Sequence, residues 1–333
     1  MSETVHIIIP AINFDNDVSR CLKEINKISS IDFFVTVVFD RFKKIQKPKY
    51  KYKLNFIFAG KINMSLKRNI AAKKYKSEFI AFIDSDAYPD KNWLKNALNI
   101  LKKKNPDIVG GPNIPFPKPS LSEKICHFSK RSYFVTGYQN FRKYKAKARY
   151  CDWLESCNFI LKRSFFLKHK GMNSKLYTGE DKEFFERVKN KNKNFKVFYS
   201  PNVFVYHKER KYIGFLLQRL TFGIDFINLI KLNVGGKGFQ PVFPLLFLLS
   251  TATLIFLPVK LMLKILIISI LTFGIFFTIL FEISKYVKTI RLKFLTVISI
   301  GLANLAFAIG SFLYLLRVKR SLISKIYILS KKI

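Results

Sequence analysis

From Phe239 to Leu316 the chain is apolar with only scattered charges, and that stretch decides most of what the polypeptide can become. It divides into Phe239 to Val259, Leu261 to Ile283 and Leu292 to Leu316. Each reaches the roughly 20 residues that a helix needs to cross a bilayer. Only Lys260 separates the first two, so a tight hairpin is expected, with Pro258 near its turn. Lys285, Lys288, Arg291 and Lys293 then mark a cytoplasmic loop by the positive-inside rule. The tail is basic too, at Arg317, Lys319, Arg320, Lys325, Lys331 and Lys332. Three full spans would place it outside, against that rule, so both two and three spans stay open.

Just before these segments, Lys211 to Leu232 is apolar except for a stripe of Lys211, Gly214, Gln218, Thr221, Asp225 and Asn228. A single narrow polar face suits a helix lying in the membrane interface. An ordinary core helix is the alternative. Gly235-Gly236-Lys237-Gly238 lacks the spacing of a phosphate-binding loop and reads as a hinge. The expected division is therefore a domain over residues 1–210, an interfacial helix and hinge over 211–238, and a membrane region over 239–333.

The preceding 210 residues alternate strand-like and helix-like patterns. Val5 to Ile9 is an apolar run stopped by Pro10, and Asp15 is a candidate N-cap for a helix through Val18, Leu22, Ile25 and Ile28. Phe33 to Phe39 is uninterrupted and ends on Asp40; Leu54 to Phe58 and Phe79 to Ile83 are further strands. Continuous apolar strands suggest burial on both faces, as in a parallel sheet. Helices over about Ser65–Tyr75 and Lys91–Lys103 complete a βαβ alternation, which argues for a doubly wound, mostly parallel α/β sheet. Such sheets bind ligands beyond the carboxyl ends of their strands. Asp40 and Asp84 both lie there.

Composition narrows the partners. A net charge of +38 calls for an anionic partner or surface, although Lys is favoured throughout the chain. Arg131 to Arg149 interleaves cations with Tyr and Phe, yet no nucleic-acid-binding motif accompanies it. Phospholipid or a lipid-linked phosphate fits this stretch better beside membrane segments. Cys21, Cys126, Cys151 and Cys157 form no metal-knuckle spacing and read as reduced thiols of a cytoplasmic domain. No signal peptide is expected, since Val5 to Ile9 is too short.

Two acidic motifs carry the chemistry. Asp84-Ser85-Asp86 sets two carboxylates at the mouth of a buried strand, where they can share one hard cation, Mg²⁺ or Mn²⁺, with substrate phosphates. Such a cation would neutralise a nucleoside diphosphate leaving group. A solvated turn is the bland alternative. Glu180-Asp181 opens a helix and offers a base for an acceptor hydroxyl. Helix capping explains the same pair equally well. His207 has two readings, a group at the metal or diphosphate and a satisfied strand-end histidine. His6, His127 and His169 have no evident partners.

Together these motifs resemble the inverting family 2 glycosyltransferases of GT-A fold, over about residues 4–224. Ile7-Ile8-Ile9-Pro10-Ala11-Ile12-Asn13 is similar to the family's opening strand and turn, and Lys67-Arg68-Asn69 to its Ala-Arg-Asn element. Glu155-Ser156-Cys157-Asn158-Phe159 looks like the acceptor-side segment, and Pro201 to His207 like the strand ending in Tyr-His. The resemblance implies nucleotide-sugar contacts by Pro10, Asn13, Asp40, Arg68, Asp84 and Ser85. It implies metal binding by Asp84, Asp86 and His207, and catalysis by Asp181. Trp153, Glu155, Asn158 and Glu180 would face the acceptor.

Departures sharpen the expectation. Arg41-Phe42 follows Asp40 where a second acid is usual, Cys157 stands where the family has Gly, and Gln218-Arg219-Leu220 lacks the motif of processive synthases. A single sugar, from a UDP-sugar, is expected to pass to a hydroxyl of a lipid-linked or other cell-envelope glycan, with membrane lipids as further partners and no nucleic acid. The chain would be a multi-pass protein of the inner membrane with a cytoplasmic catalytic domain. A polyprenyl-phosphate glycosyltransferase, whose acceptor is a phosphate, and a non-catalytic scaffold retaining the fold are the rivals.

Overall fold

The computed structural model describes residues 4–29, 31–41, 49–176, 178–232, 234, 243–258 and 260–316. The hinge at Gly235 to Gly238, the start of the first apolar segment, Phe42, Tyr177 and the basic tail from Arg317 lie outside the described residues. The chain forms two compact units, residues 1–116 with 141–208, and residues 117–140 with 209–333.

The first unit is built on an eight-stranded sheet. Its strands are β1 (Val5–Pro10), β2 (Phe33–Phe39), β3 (Lys53–Phe58), β4 (Phe79–Ile83), β6 (Ile108–Gly110), β8 (Arg149–Cys151), β9 (Asn158–Lys162) and β10 (Val197–Tyr199), ordered β3-β2-β1-β4-β9-β6-β10-β8. The four strands read from the sequence are parallel neighbours, and the unbroken burial of β1 and β4 follows from helices on both faces. Asp15 caps the helix Asn16–Ile25 by accepting from Val18 N at 3.0 Å, as its spacing predicts. Val18, Cys21, Leu22 and Ile25 face the sheet.

Strand β9 was not legible in the pattern. It runs antiparallel to both β4 and β6, and its first residue, Asn158, pairs with Ile83, the last of β4. Residues 153–157 therefore emerge at the same sheet edge as Asp84. The strands cross closely here: a Cβ on Gly110 would lie 2.2 Å from the Asn158 carbonyl, so only glycine fits. A second sheet, β5 (Ala87–Pro89), β11 (Val205–His207) and β7 (Asn113–Pro115), pairs His207 with Ala87, one residue beyond the acidic triplet.

The second unit is helical: Leu121–Arg131, Tyr133–Thr136, Tyr212–Lys231, Phe243–Phe256, Leu261–Ser284 and Ile290–Leu315. Three of these are long and apolar enough to cross a membrane, namely Tyr212–Lys231, Leu261–Ser284 and Ile290–Leu315. The last two correspond to the second and third expected segments. Of the first expected segment, the described part forms the helix Phe243–Phe256, and residues 239–242 and 259 lie outside the described residues. Tyr212–Lys231 qualifies as well, and the middle of its polar stripe faces inward: Gly214, Thr221 and Asp225 are buried and Gln218 half-buried, while Ile213 and Ile230 are exposed. That is opposite to a helix offering its polar side to headgroups.

The reason is backbone approach. A Cβ on Gly223 would lie 2.0 Å from the Phe307 carbonyl, and one on Gly310 2.0 Å from that of Leu220. Ser311 Oγ donates to the Gly223 carbonyl at 3.1 Å. Small residues letting two apolar helices touch is how helices associate in lipid. Leu261–Ser284 is largely bare, with Met262 85% and Phe281 72% exposed, an apolar surface that a bilayer would cover.

Candidate active site

All the residues expected to act lie in the first unit, at the carboxyl edge of β1, β2 and β4. Arg68, on the helix Met64–Lys74, joins the two acidic motifs. Its guanidinium donates to Asp84 Oδ1 at 2.5 Å and to Glu180 Oε1 at 3.2 Å, a partner 112 residues away in sequence. Arg68 is 2% exposed, so it is enclosed by acids and does not lie open to a nucleotide. Burial works against its charge, but Asp84, Glu180 and Asp181 more than offset that and hold it firmly ionised.

Asp181 is fixed by two backbone amides, Ser156 N at 3.1 Å and Lys182 N at 2.8 Å. Burial and then the charge of Glu155 raise its pKa. Glu180 is raised too, to about 7, through burial and then the neighbouring Asp181, with Arg68 pulling the other way. Two acids pushed toward neutrality at a sheet edge are suited to moving a proton. Capping alone does not account for them: Gly179, at φ +74°, makes the turn, and no side chain caps the helix Glu180–Lys191.

Around the acidic triplet, His207 Nδ1 lies 2.9 Å from the Lys208 carbonyl. A carbonyl only accepts, so Nδ1 carries a hydrogen and Nε2 is the ring atom turned to the acids. That Nε2 is 3.5 Å from Asp86 Oδ1 and 3.9 Å from Asp84 Oδ2. Asp86 Oδ1 is buried and accepts no hydrogen bond among the described residues. Asp84, His207 and Cys157 also offer one donor atom each within 4.8 Å of one another. Carboxylate and imidazole lone pairs converging on an orphaned oxygen fit a divalent cation. Cys157, noted in the sequence only as a departure from Gly, enters this cluster because β9 is antiparallel.

The remaining predicted residues divide. Asp40 is gripped by the buried Lys67, whose Nζ also donates to the Ala11 carbonyl at 2.6 Å. Lys67 was part of a recognised motif without a role. Asn13 is exposed, Ser85 half-buried, and Pro10 buried in β1 beside Val38. Asn158 is 1% exposed and committed to the scaffold: it accepts from Trp93 Nε1 at 2.8 Å and donates to the carbonyls of Pro112 and Val203. It does not face an acceptor, because the antiparallel register turns it into the interior.

Glu155 receives Lys143 Nζ on both oxygens at 2.7 Å and a bond from Asn113. Burial would raise its pKa, but Lys143 and Arg142 hold it down at about 2. Arg142 Cζ lies 3.5 Å from the ring centroid of Trp153, a close cation–π contact.

Much of the basic stretch is thus committed internally. Lys145 covers the Phe204 ring, and in the second unit Lys130 pairs with Glu209 and Arg131 covers Tyr286. The histidines found partners too. His6 meets Thr36 Oγ1 at 2.7 Å, with its pKa lowered to about 3 by burial and then Arg163, and His127 meets Glu209 at 3.2 Å. Sequence reading also missed Asn69, which locks onto Met172 through both backbone atoms and steadies the loop before Glu180.

Residues 6–168 match the sequence profile described as Glycosyl transferase family 2. They belong to that family. They form a glycosyltransferase domain of GT-A type on a mixed, mostly parallel sheet. No curated protein matches the chain. Similar solved structures include S. aureus TarS, at 17% identity and TM-score 0.46 over 68% of this chain and 40% of that one. This chain thus spans two-fifths of that structure's length. A TarS 1–349 structure gives 16% identity and TM-score 0.42 over 94% and 91%. Likeness at this level carries nothing about substrate.

Proposed function

We propose that this glycosyltransferase is inverting and metal-dependent, and passes one sugar from a UDP-sugar to a hydroxyl of a membrane-associated acceptor. The observation that carries the reading is Arg68, bonded at once to Asp84 and Glu180, which ties the donor-side and acceptor-side acids into one site. A divalent cation held by Asp84, Asp86 and His207 would neutralise the diphosphate leaving group. Asp40, steadied by Lys67, offers an acceptor to the nucleotide base, with Pro10, Asn13 and Ser85 lining the donor side. Arg68 is a positioning residue that keeps Asp84 in place. Asp181, poised by its two amide bonds, takes the proton from the acceptor hydroxyl as it attacks the anomeric carbon in line. Glu155 and Trp153 border the acceptor.

The acceptor is a lipid-linked or cell-envelope glycan, presented at the cytoplasmic side of the inner membrane. Three helices able to cross a bilayer and the cations Lys285, Lys288, Arg291 and Lys293 support that placement. A donor screen on the detergent-solubilised chain, scoring metal-dependent release of nucleoside diphosphate, tests the proposal. Turnover should vanish in Asp84→Ala and in Asp86→Ala. Failure of every nucleotide-sugar with every divalent metal would sink it. Retention of most activity in Asp181→Asn would point instead to a phosphate acceptor, which needs little base catalysis.

A further inference from the structure

We propose that Cys157 is a ligand of the donor-site cation, which makes this a mixed oxygen, nitrogen and sulfur site suited to Zn²⁺, Co²⁺ or Cd²⁺ over Mg²⁺. The inference rests on the metal-dependent reading above and names the cation class of that same site.

Geometry comes first. Three atoms no more than 4.8 Å apart have a centre at most about 2.8 Å from each (4.8 Å divided by √3), against bonded distances of about 2.0–2.3 Å for oxygen, nitrogen and sulfur on such a cation. Movements of about half an ångström close the set. Cys157 does not reach this place through a mobile loop. The pairing of Asn158 with Ile83 fixes it beside the end of β4, and the bond from Ser156 N to Asp181 holds the preceding residue.

The lone pairs are the second argument. His207 has its Nδ1 hydrogen committed to the Lys208 carbonyl, which turns Nε2 toward Asp84 and Asp86. Asp86 Oδ1 is buried and accepts no hydrogen bond among the described residues. Nε2 lies 3.5 to 3.9 Å from the two carboxylates, a spacing that a shared cation would bridge. A backbone-oriented histidine is the usual support of a metal-bound imidazole.

The third argument is chemical. Mg²⁺ takes oxygen ligands and keeps several waters, whereas thiolate and imidazole donors favour softer cations. Adding Cys157 to Asp84 and His207 shifts the set toward the latter. The sulfur would displace one of the waters that a hard cation retains, leaving the other positions for diphosphate oxygens. The site thereby differs from one built of carboxylates and water alone.

The test is Co²⁺ titration of the purified full chain in detergent, with UDP present, followed by absorption. Wild type should show a thiolate-to-cobalt charge-transfer band saturating at one equivalent. Cys157→Ser and Cys157→Gly should both lose it, while Cys21→Ser, altered at the other buried thiol of the site's floor, should keep it. By calorimetry, Cys157→Gly should weaken Cd²⁺ at least about tenfold and leave Mg²⁺ nearly unchanged. Cobalt bound without the band, or a band surviving in both Cys157 variants, overturns this proposal and leaves the metal-dependent reading standing. No cobalt binding at all overturns both.

Discussion

Arg68 and Arg219 are both nearly lost to solvent, 2% and 8% exposed, and their surroundings differ in kind. In the first unit Arg68 sits between Asp84 and Glu180. In the second, Arg219 donates to the carbonyls of Val135 at 3.3 Å and Ala303 at 3.4 Å and lies 4.9 Å from the Phe307 ring centroid. A cation buried among carboxylates sets the charge of groups that do chemistry. A cation buried among backbone dipoles and an aromatic face fastens helices together. The catalytic unit thus stores its cost in ionisable pairs, and the helical unit in close backbone packing.

The largest break in that comparison is expected at Asp181. Asp181→Asn should lower kcat by about 10²- to 10⁴-fold with donor affinity retained, because general-base contributions are of that size. Arg68→Met comes next. It leaves two half-covered acids facing each other, and chemical unfolding should show a loss of about 3–5 kcal/mol. Arg219→Met strands carbonyls only, so its loss should be smaller, about 1–3 kcal/mol. If Arg219→Met proved the costlier of the two, the contrast between the units would be wrong.

Gly223→Val drives a side chain into the Phe307 carbonyl and should cost about 1–3 kcal/mol in detergent melts, with UDP binding by the catalytic unit unchanged. The smallest effect is on pH. Glu180 has its pKa raised from its usual 4.5 to about 7 by burial and then Asp181. Its contribution to stability is present below 4.5 and is lost as pH rises through about 7. Glu180→Gln should flatten that slope.

The parallel strands β1 to β4, the two acid-tipped strand ends and the apolar C-terminal third were readable because each is a local pattern. The uninterrupted run Phe33 to Phe39 needs cover on both faces wherever it lies. Val18, Leu22 and Ile25 must share a helix face whatever they touch. Asp84-Ser85-Asp86 could be placed at a ligand-binding edge for the same reason. The polar stripe of Tyr212–Lys231 was visible too, but its direction was not. Periodicity says which residues share a side and not what that side meets.

The sequence by itself determined a doubly wound α/β unit with acids at its strand ends and a membrane-suited helical remainder. It did so because side-chain periodicity and apolar run length are properties of short segments. Only the tertiary structure decided that β9 runs antiparallel, that Pro117 to Asn140 joins the helical unit, and that Arg68 bridges Asp84, 16 residues along the chain, to Glu180, 112 residues along it. It alone brought Cys157 to Asp84 and His207. Such contacts depend on strand direction and on packing between distant segments, and no local pattern of residues encodes either.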